Sequence, residues 1–154
     1  MAIRLQDEIQ QRVPLRPTAE AMLSILRTAA MLEHRVGEAL KPHGITMTQL
    51  NVLRILRGAG PAGLCGREVA DRMVAQVPDI PRLLERLEGM GLISRERDPA
   101  DRRHVTARIT QEGRQLLTRV IPDVEAIEIG KIAQLDAETL TSLIRGLAAV
   151  REAL

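Results

Sequence analysis

The hydrophobic period of this chain changes at Gly91, and that change restricts the fold more than any other feature. Upstream, Ile80, Leu83, Leu84 and Leu87 fall at i, i+3, i+4 and i+7, the buried face of a helix read over residues 78–90. Pro78 and Pro81 are both expected in its first turn, where a missing N–H costs little. Gly91 stops the helix. Downstream, Val105, Ala107 and Ile109 alternate with Thr106 and Arg108, the period of a half-buried strand. Residues 92–97 supply a partner strand, and Asp98-Pro99-Ala100-Asp101-Arg102-Arg103 reads as the hairpin loop. Few folds run a helix directly into a β-hairpin within an otherwise helical chain.

The flanking segments are helical. Residues 18–40 carry Met22, Leu26, Ala29, Val36 and Leu40 on one face, widened by Leu23, Ile25, Ala30 and Leu32. A helix apolar over so much of its circumference must bury more than one side. Pro42-His43-Gly44 ends it. Thr46-Met47-Thr48-Gln49 fits a capping box, with Ile45 and Leu50 as its staple and Leu50, Leu53 and Leu56 as the buried face that follows. Beyond the loop of residues 58–63, a short helix over 66–73 should bury Val69, Ala70 and Met73. Thr110 is the expected N-cap of a helix that Pro122 should kink. Asp136 caps a last helix carrying Leu140, Leu143, Ile144, Leu147 and Leu154. Residues 1–17 are polar, with Pro14 and Pro17, and read as an arm.

Composition narrows the function. The 154 residues contain no Phe, Trp or Tyr. Single-strand and RNA readers stack bases on aromatic rings, so those modules are excluded, whereas a helix in the major groove of duplex DNA needs no ring. Net charge is only +2, so the placement of charge matters more than its sum. The single cysteine, Cys65, allows no internal disulfide, and His34, His43 and His104 lack metal-ligand spacing. No metal or other cofactor is expected. No apolar run approaches the ~20 residues of a membrane span, and the N-terminus is polar and acidic too early for a signal peptide. A cytoplasmic protein without membrane contact is expected. No nucleophile–base pair or phosphate loop marks an enzyme.

The order helix, helix, turn, helix, β-hairpin is that of a winged helix-turn-helix: mainly α with a small β-hairpin, its terminal helices forming a dimerisation region. The helix after the turn enters the major groove and the hairpin reaches the backbone or minor groove. Asp79, Arg82, Glu85, Arg86 and Glu88 stay off the apolar stripe of that helix, and arginine concentrates in the hairpin at Arg95, Arg97, Arg102, Arg103 and Arg108.

The chain also resembles a known family. Leu87-Glu88-Gly89-Met90-Gly91-Leu92-Ile93, Arg95, Asp98-Pro99-Ala100-Asp101-Arg102-Arg103 and Ile109-Thr110-Gln111-Glu112-Gly113 are similar to the signature of the MarR regulators. That signature is a recognition helix ending L-E-x-x-G-L, a wing bearing D-R-R and a following T-x-x-G. Residues 46–53 and 68–73 fit as well, and the resemblance covers about residues 20–154. It implies one continuous domain over about 18–154, with dimerisation helices at 18–45 and 111–154 around a DNA-binding region at 46–110. It further implies a homodimer on a pseudo-palindromic operator, and repression relieved by a small aromatic or anionic effector. Pro81 departs from the pattern, standing where the family commonly has a small polar residue facing DNA.

The residues expected at DNA are Gln76, Asp79, Pro81, Arg82, Arg102 and Arg103. Arg82 suits a guanine edge, and the wing arginines suit a narrow, negative minor groove. Arg86 is expected to pair with Asp101 of the wing, as Arg–carboxylate geometry favours. Cys65, just before a helix, occupies an N-cap position from which a thiol can react with oxidants. With no resolving cysteine nearby, an inert small residue is the preferred reading over a redox sensor. Two other readings stay open, an architectural DNA-binding protein and a winged-helix module that binds protein.

Overall fold

The computed structural model describes residues 4–97, 99 and 104–154, and the side chains of these except 128, 129 and 131. The chain forms two compact units, Met1–Glu38 and Ala39–Leu154.

In the first unit, a short helix α1 (Leu5–Glu8) precedes α2 (Pro17–Leu40), whose last residues enter the second unit. The arm expected over residues 1–17 is therefore partly helical. Two ion pairs hold α1 to α2: Arg4–Glu20 at 2.8 Å and Arg27–Glu8 at 2.9 Å. Leu5 is buried and, with Ile9, Leu23, Leu26, Ala30 and Met31, lines an apolar groove of about 570 Å³. Much of the apolar surface of α2 remains open, with Met22, Leu26 and Met31 all more than half exposed.

The second unit is built around α3 (Met47–Ala59). Its start is the expected capping box: the Thr46 hydroxyl accepts the Gln49 N–H at 3.2 Å, and the Gln49 side chain accepts the Thr46 N–H at 2.9 Å. Leu50, Val52, Leu53 and Leu56 are buried, each such side chain contributing about 1.5–3 kcal/mol. A single-turn 3₁₀ segment leads to β1 (Leu64–Cys65), then α4 (Gly66–Arg72), α5 (Ile80–Gly89), β2 (Ile93–Arg97), β3 (Val105–Ile109), α6 (Gln111–Lys131) and α7 (Ala137–Glu152).

The strands expected from alternation are present, β3 with the expected bounds. The sheet nevertheless has three strands, in the order β1-β3-β2, all antiparallel. Leu64 faces Ala107, and Ile93 faces Ile109. The core joins α3, α4, α5, the sheet and α6 through Leu53, Leu56, Val69, Leu87, Ile93, Ala107, Leu117 and Val120. Ala70 is exposed on α4, and Met73 is only half-buried, since α4 ends at Arg72 and Met73 already has extended backbone. α6 runs unbroken through Pro122. His43 lies 2.7 Å from Asp123 of α6.

The T-x-x-G element has a physical explanation here. The Thr110 hydroxyl donates to the Gly91 carbonyl at 2.7 Å and accepts the Gly113 N–H at 3.1 Å. Thr110 N–H donates to the Leu92 carbonyl, and a Cβ on Gly113 would overlap that same oxygen. The motif ties the end of α5 to the start of α6.

Candidate nucleic-acid interface

α5 begins at Ile80, two residues later than the sequence pattern suggests. Asp79 is its N-cap, its carboxylate accepting the Arg82 N–H at 3.0 Å. Pro81 therefore lies in the first turn and Pro78 lies before the helix. Ile80, Leu84 and Leu87 turn inward, which leaves Pro81, Arg82, Glu85 and Arg86 exposed on the opposite side. Gln76 and Asp79 are exposed too. Gln76, Asp79, Pro81 and Arg82 are thus accessible on one turn-plus-helix segment.

That segment is pinned from α3. The Asn51 side-chain oxygen accepts the Val74 N–H at 2.9 Å. Asn51 orders the turn between α4 and α5, a role that sequence reasoning missed. Its only signal was a polar residue next to the buried stripe of α3.

A second support joins α5 to the hairpin. Glu88 accepts the Arg95 Nε at 2.8 Å and its terminal nitrogen at 2.7 Å, and the Arg95 backbone N–H donates to the same carboxylate at 3.1 Å. Glu85 lies 3.9 Å from Arg95. The side-chain bond from Arg95 holds the Glu88 carboxyl below the usual glutamate range, against the desolvation that would raise it. The expected helix-to-wing support was Arg86–Asp101. Asp101 lies outside the described residues, and Arg86 is exposed. Arg102 and Arg103 also lie outside the described residues.

Not every hairpin arginine is available to a ligand. Arg108 donates to the Pro61 carbonyl at 2.9 Å and pairs with Glu96 at 2.9 Å, so it braces the sheet. Arg97 is exposed. Cys65 is the N-cap of α4 and half-buried, and its backbone N–H donates to Glu68 at 2.8 Å. That bond keeps the Glu68 carboxyl below its ordinary range. Cys65, Arg67, Pro81, Leu84, His104 and Val105 line a groove of about 440 Å³ between the start of α4, α5 and the hairpin.

A helix-turn-helix with an exposed second helix, clamped to an antiparallel hairpin, defines a winged helix-turn-helix protein. The family model described as "MarR family" matches residues 45–105. The HTH-type transcriptional regulator YkoM of Bacillus subtilis is 30% identical over 99 residues, 64% of this chain and 62% of that relative. The match therefore spans less than two thirds of YkoM. The crystal structure of Sco3205, a MarR family regulator from Streptomyces coelicolor in complex with DNA, is 25% identical with a TM-score of 0.80, covering 92% of this chain and 91% of that one. CouR from Rhodococcus jostii RHA1, solved bound to p-coumaroyl-CoA, is 26% identical with a TM-score of 0.74, covering 89% and 95%. The crystal structure of a MarR transcription factor from Planctomyces limnophilus is 32% identical with a TM-score of 0.68, covering 90% of this chain and 99% of that one. The chain belongs to the MarR family of winged helix-turn-helix transcriptional regulators.

Among the described residues, no helix is long and apolar enough to cross a membrane.

Proposed function

We propose that this protein is a homodimeric repressor that binds a pseudo-palindromic duplex operator and leaves it when a small aromatic or anionic ligand binds. The observation that carries DNA recognition is the exposed face of α5, with Arg82 and Pro81 at its start and the Glu88–Arg95 clamp setting the hairpin beside it. The DNA complex of the Streptomyces neighbour supports the DNA partner, and the p-coumaroyl-CoA complex of the Rhodococcus neighbour supports a small ligand. Two-fold symmetry would set two copies of α5 about one DNA turn apart, roughly 34–36 Å.

In this reading the residues divide by task. Arg82, with Gln76 beside it, contacts base edges, where guanine offers two acceptors to an arginine. Arg102 and Arg103 contact the backbone or minor groove, and their contribution is electrostatic and salt-dependent. Glu88 and Arg95 hold the two in register.

Selection of bound genomic fragments with the purified protein tests the reading, because it yields the operator and its symmetry. Replacing Arg82 by Ala should then cost about 1–3 kcal/mol on that operator and narrow its advantage over random duplex. Arg103→Ala should weaken both DNAs together and reduce the salt slope by about one unit. Binding without sequence preference would instead indicate an architectural role, and no DNA binding would indicate a protein-interaction module.

A further inference from the structure

This inference rests on the DNA-binding reading above and concerns how the operator is read. The N-terminus of a helix commonly offers free amides to a phosphate. The first turn of α5 has little of that to offer. Pro81, its second residue, has no N–H. The amide of Arg82 is taken by Asp79 at 3.0 Å. Ile80 is buried, and Asp79 places a carboxylate where a phosphate would approach.

What the turn presents instead is apolar and rigid. Pro78 and Pro81 are exposed while Ile80 and Leu84 fill the core behind them. A pyrrolidine ring cannot read donors and acceptors. It loses almost no side-chain entropy on contact, however, and so suits an apolar target. The major groove has one apolar base feature, the C5-methyl group of thymine. We propose that Pro81 is a specificity-determining residue whose ring packs on a thymine methyl, so that each operator half-site carries a thymine beside the base read by Arg82.

Deoxyuridine provides the test, since it pairs like thymidine and lacks only the methyl group. The selected operator is prepared with thymine and with uracil substituted one position at a time under α5. The unaltered protein should bind one uracil form about fourfold more weakly per half-site, the value of one buried methyl-sized group. Pro81→Ser, checked by thermal melting for an intact fold, should bind the thymine and uracil forms alike. Equal binding of both forms by the unaltered protein would overturn the inference, and that arm needs no variant to fold. So would uracil sensitivity that persists in Pro81→Ser, since it would then arise from DNA shape, or an operator with no thymine under the helix. Failure to select any sequence over random duplex would overturn the regulator reading itself, and this inference with it.

Discussion

At Gly113 a single hydrogen stands where any other residue would carry a Cβ, and that Cβ would overlap the Leu92 carbonyl oxygen and crowd Ile109. The backbone of α6 can approach Leu92, the residue just before β2, this closely only with glycine. Gly113→Ala should therefore lower stability by about 1–3 kcal/mol, the usual cost of overpacking. Gly58 in α3 is the contrast, because it is exposed and its added Cβ meets nothing within 4 Å. There Ala should raise stability by roughly 0.5–1 kcal/mol through lower unfolded-state entropy. Urea unfolding of both variants checks the pair, and a neutral Gly113→Ala would contradict the close approach. Cys65 belongs to the same scale. It is the N-cap of α4, and serine is a good cap, so Cys65→Ser should hold or slightly raise the unfolding midpoint. DNA binding should be unchanged. Loss of a peroxide response in that variant would reverse the reading of Cys65 as inert.

Helix and hairpin meet through Glu88 and Arg95. Glu88 sits in the last turn of α5, where the helix dipole disfavours a carboxylate, and the two side-chain nitrogens of Arg95, both on Glu88 Oε2, compensate. The pair is partly exposed, so Arg95→Ala should cost only about 1 kcal/mol of stability. Its larger effect should be on DNA, weakening operator and random duplex together as the hairpin loses its bearing on α5. The pH dependence follows from the direction of the shift. The folded Glu88 carboxyl ionises below its unfolded value, so its contribution is complete above the ordinary glutamate range and is lost as pH falls through the lowered value. Glu88→Gln should flatten that acid limb and leave the slope near neutrality alone. Parallel stability curves for parent and variant from pH 7 downward would contradict this. Much at this scale was legible in the sequence. The Thr46 capping box, the bounds of β3 and the Asp136 cap, whose carboxylate accepts the Thr139 N–H at 2.8 Å, all follow from local chemistry. β1 was not legible, because two residues show no period and their partner, β3, is distant in the chain. α1 escaped for a related reason, being four residues long and tied by ion pairs to Glu20 and Arg27. The Glu88–Arg95 clamp depends on how a helix turns into a strand, which spacing alone does not reveal. Exposed positions such as Gln76 and Arg82 could be read from the stripe they avoid, while the Asn51 anchor of the turn could not.

Taken as a whole molecule, a single copy leaves too much apolar surface in water. α7 has no buried residue along its 16 positions, with Leu143, Ile144 and Val150 exposed at 45%, 59% and 44%. On α2, Met22, Leu26 and Met31 are exposed at 57%, 59% and 51%. A polar helix could remain solvated, but an amphipathic one with its apolar stripe open needs a partner surface. Covering one such half-exposed side chain with a partner surface is worth about 1 kcal/mol, so each stripe, taken by itself, would gain from a second copy. The protein should therefore be a dimer at micromolar concentration, with a melting temperature that rises with concentration. Deleting residues 136–154 should yield monomer or aggregate. Ile144→Glu should give a soluble monomer that retains the α3–sheet–α6 core and loses most of its operator affinity, since only one α5 would reach the DNA at a time. Light scattering and footprinting, run on the same samples, separate the outcomes. A stable monomer of the intact chain at micromolar concentration, or a footprint confined to one asymmetric half-site, would remove the two-fold reading and the operator symmetry that depends on it.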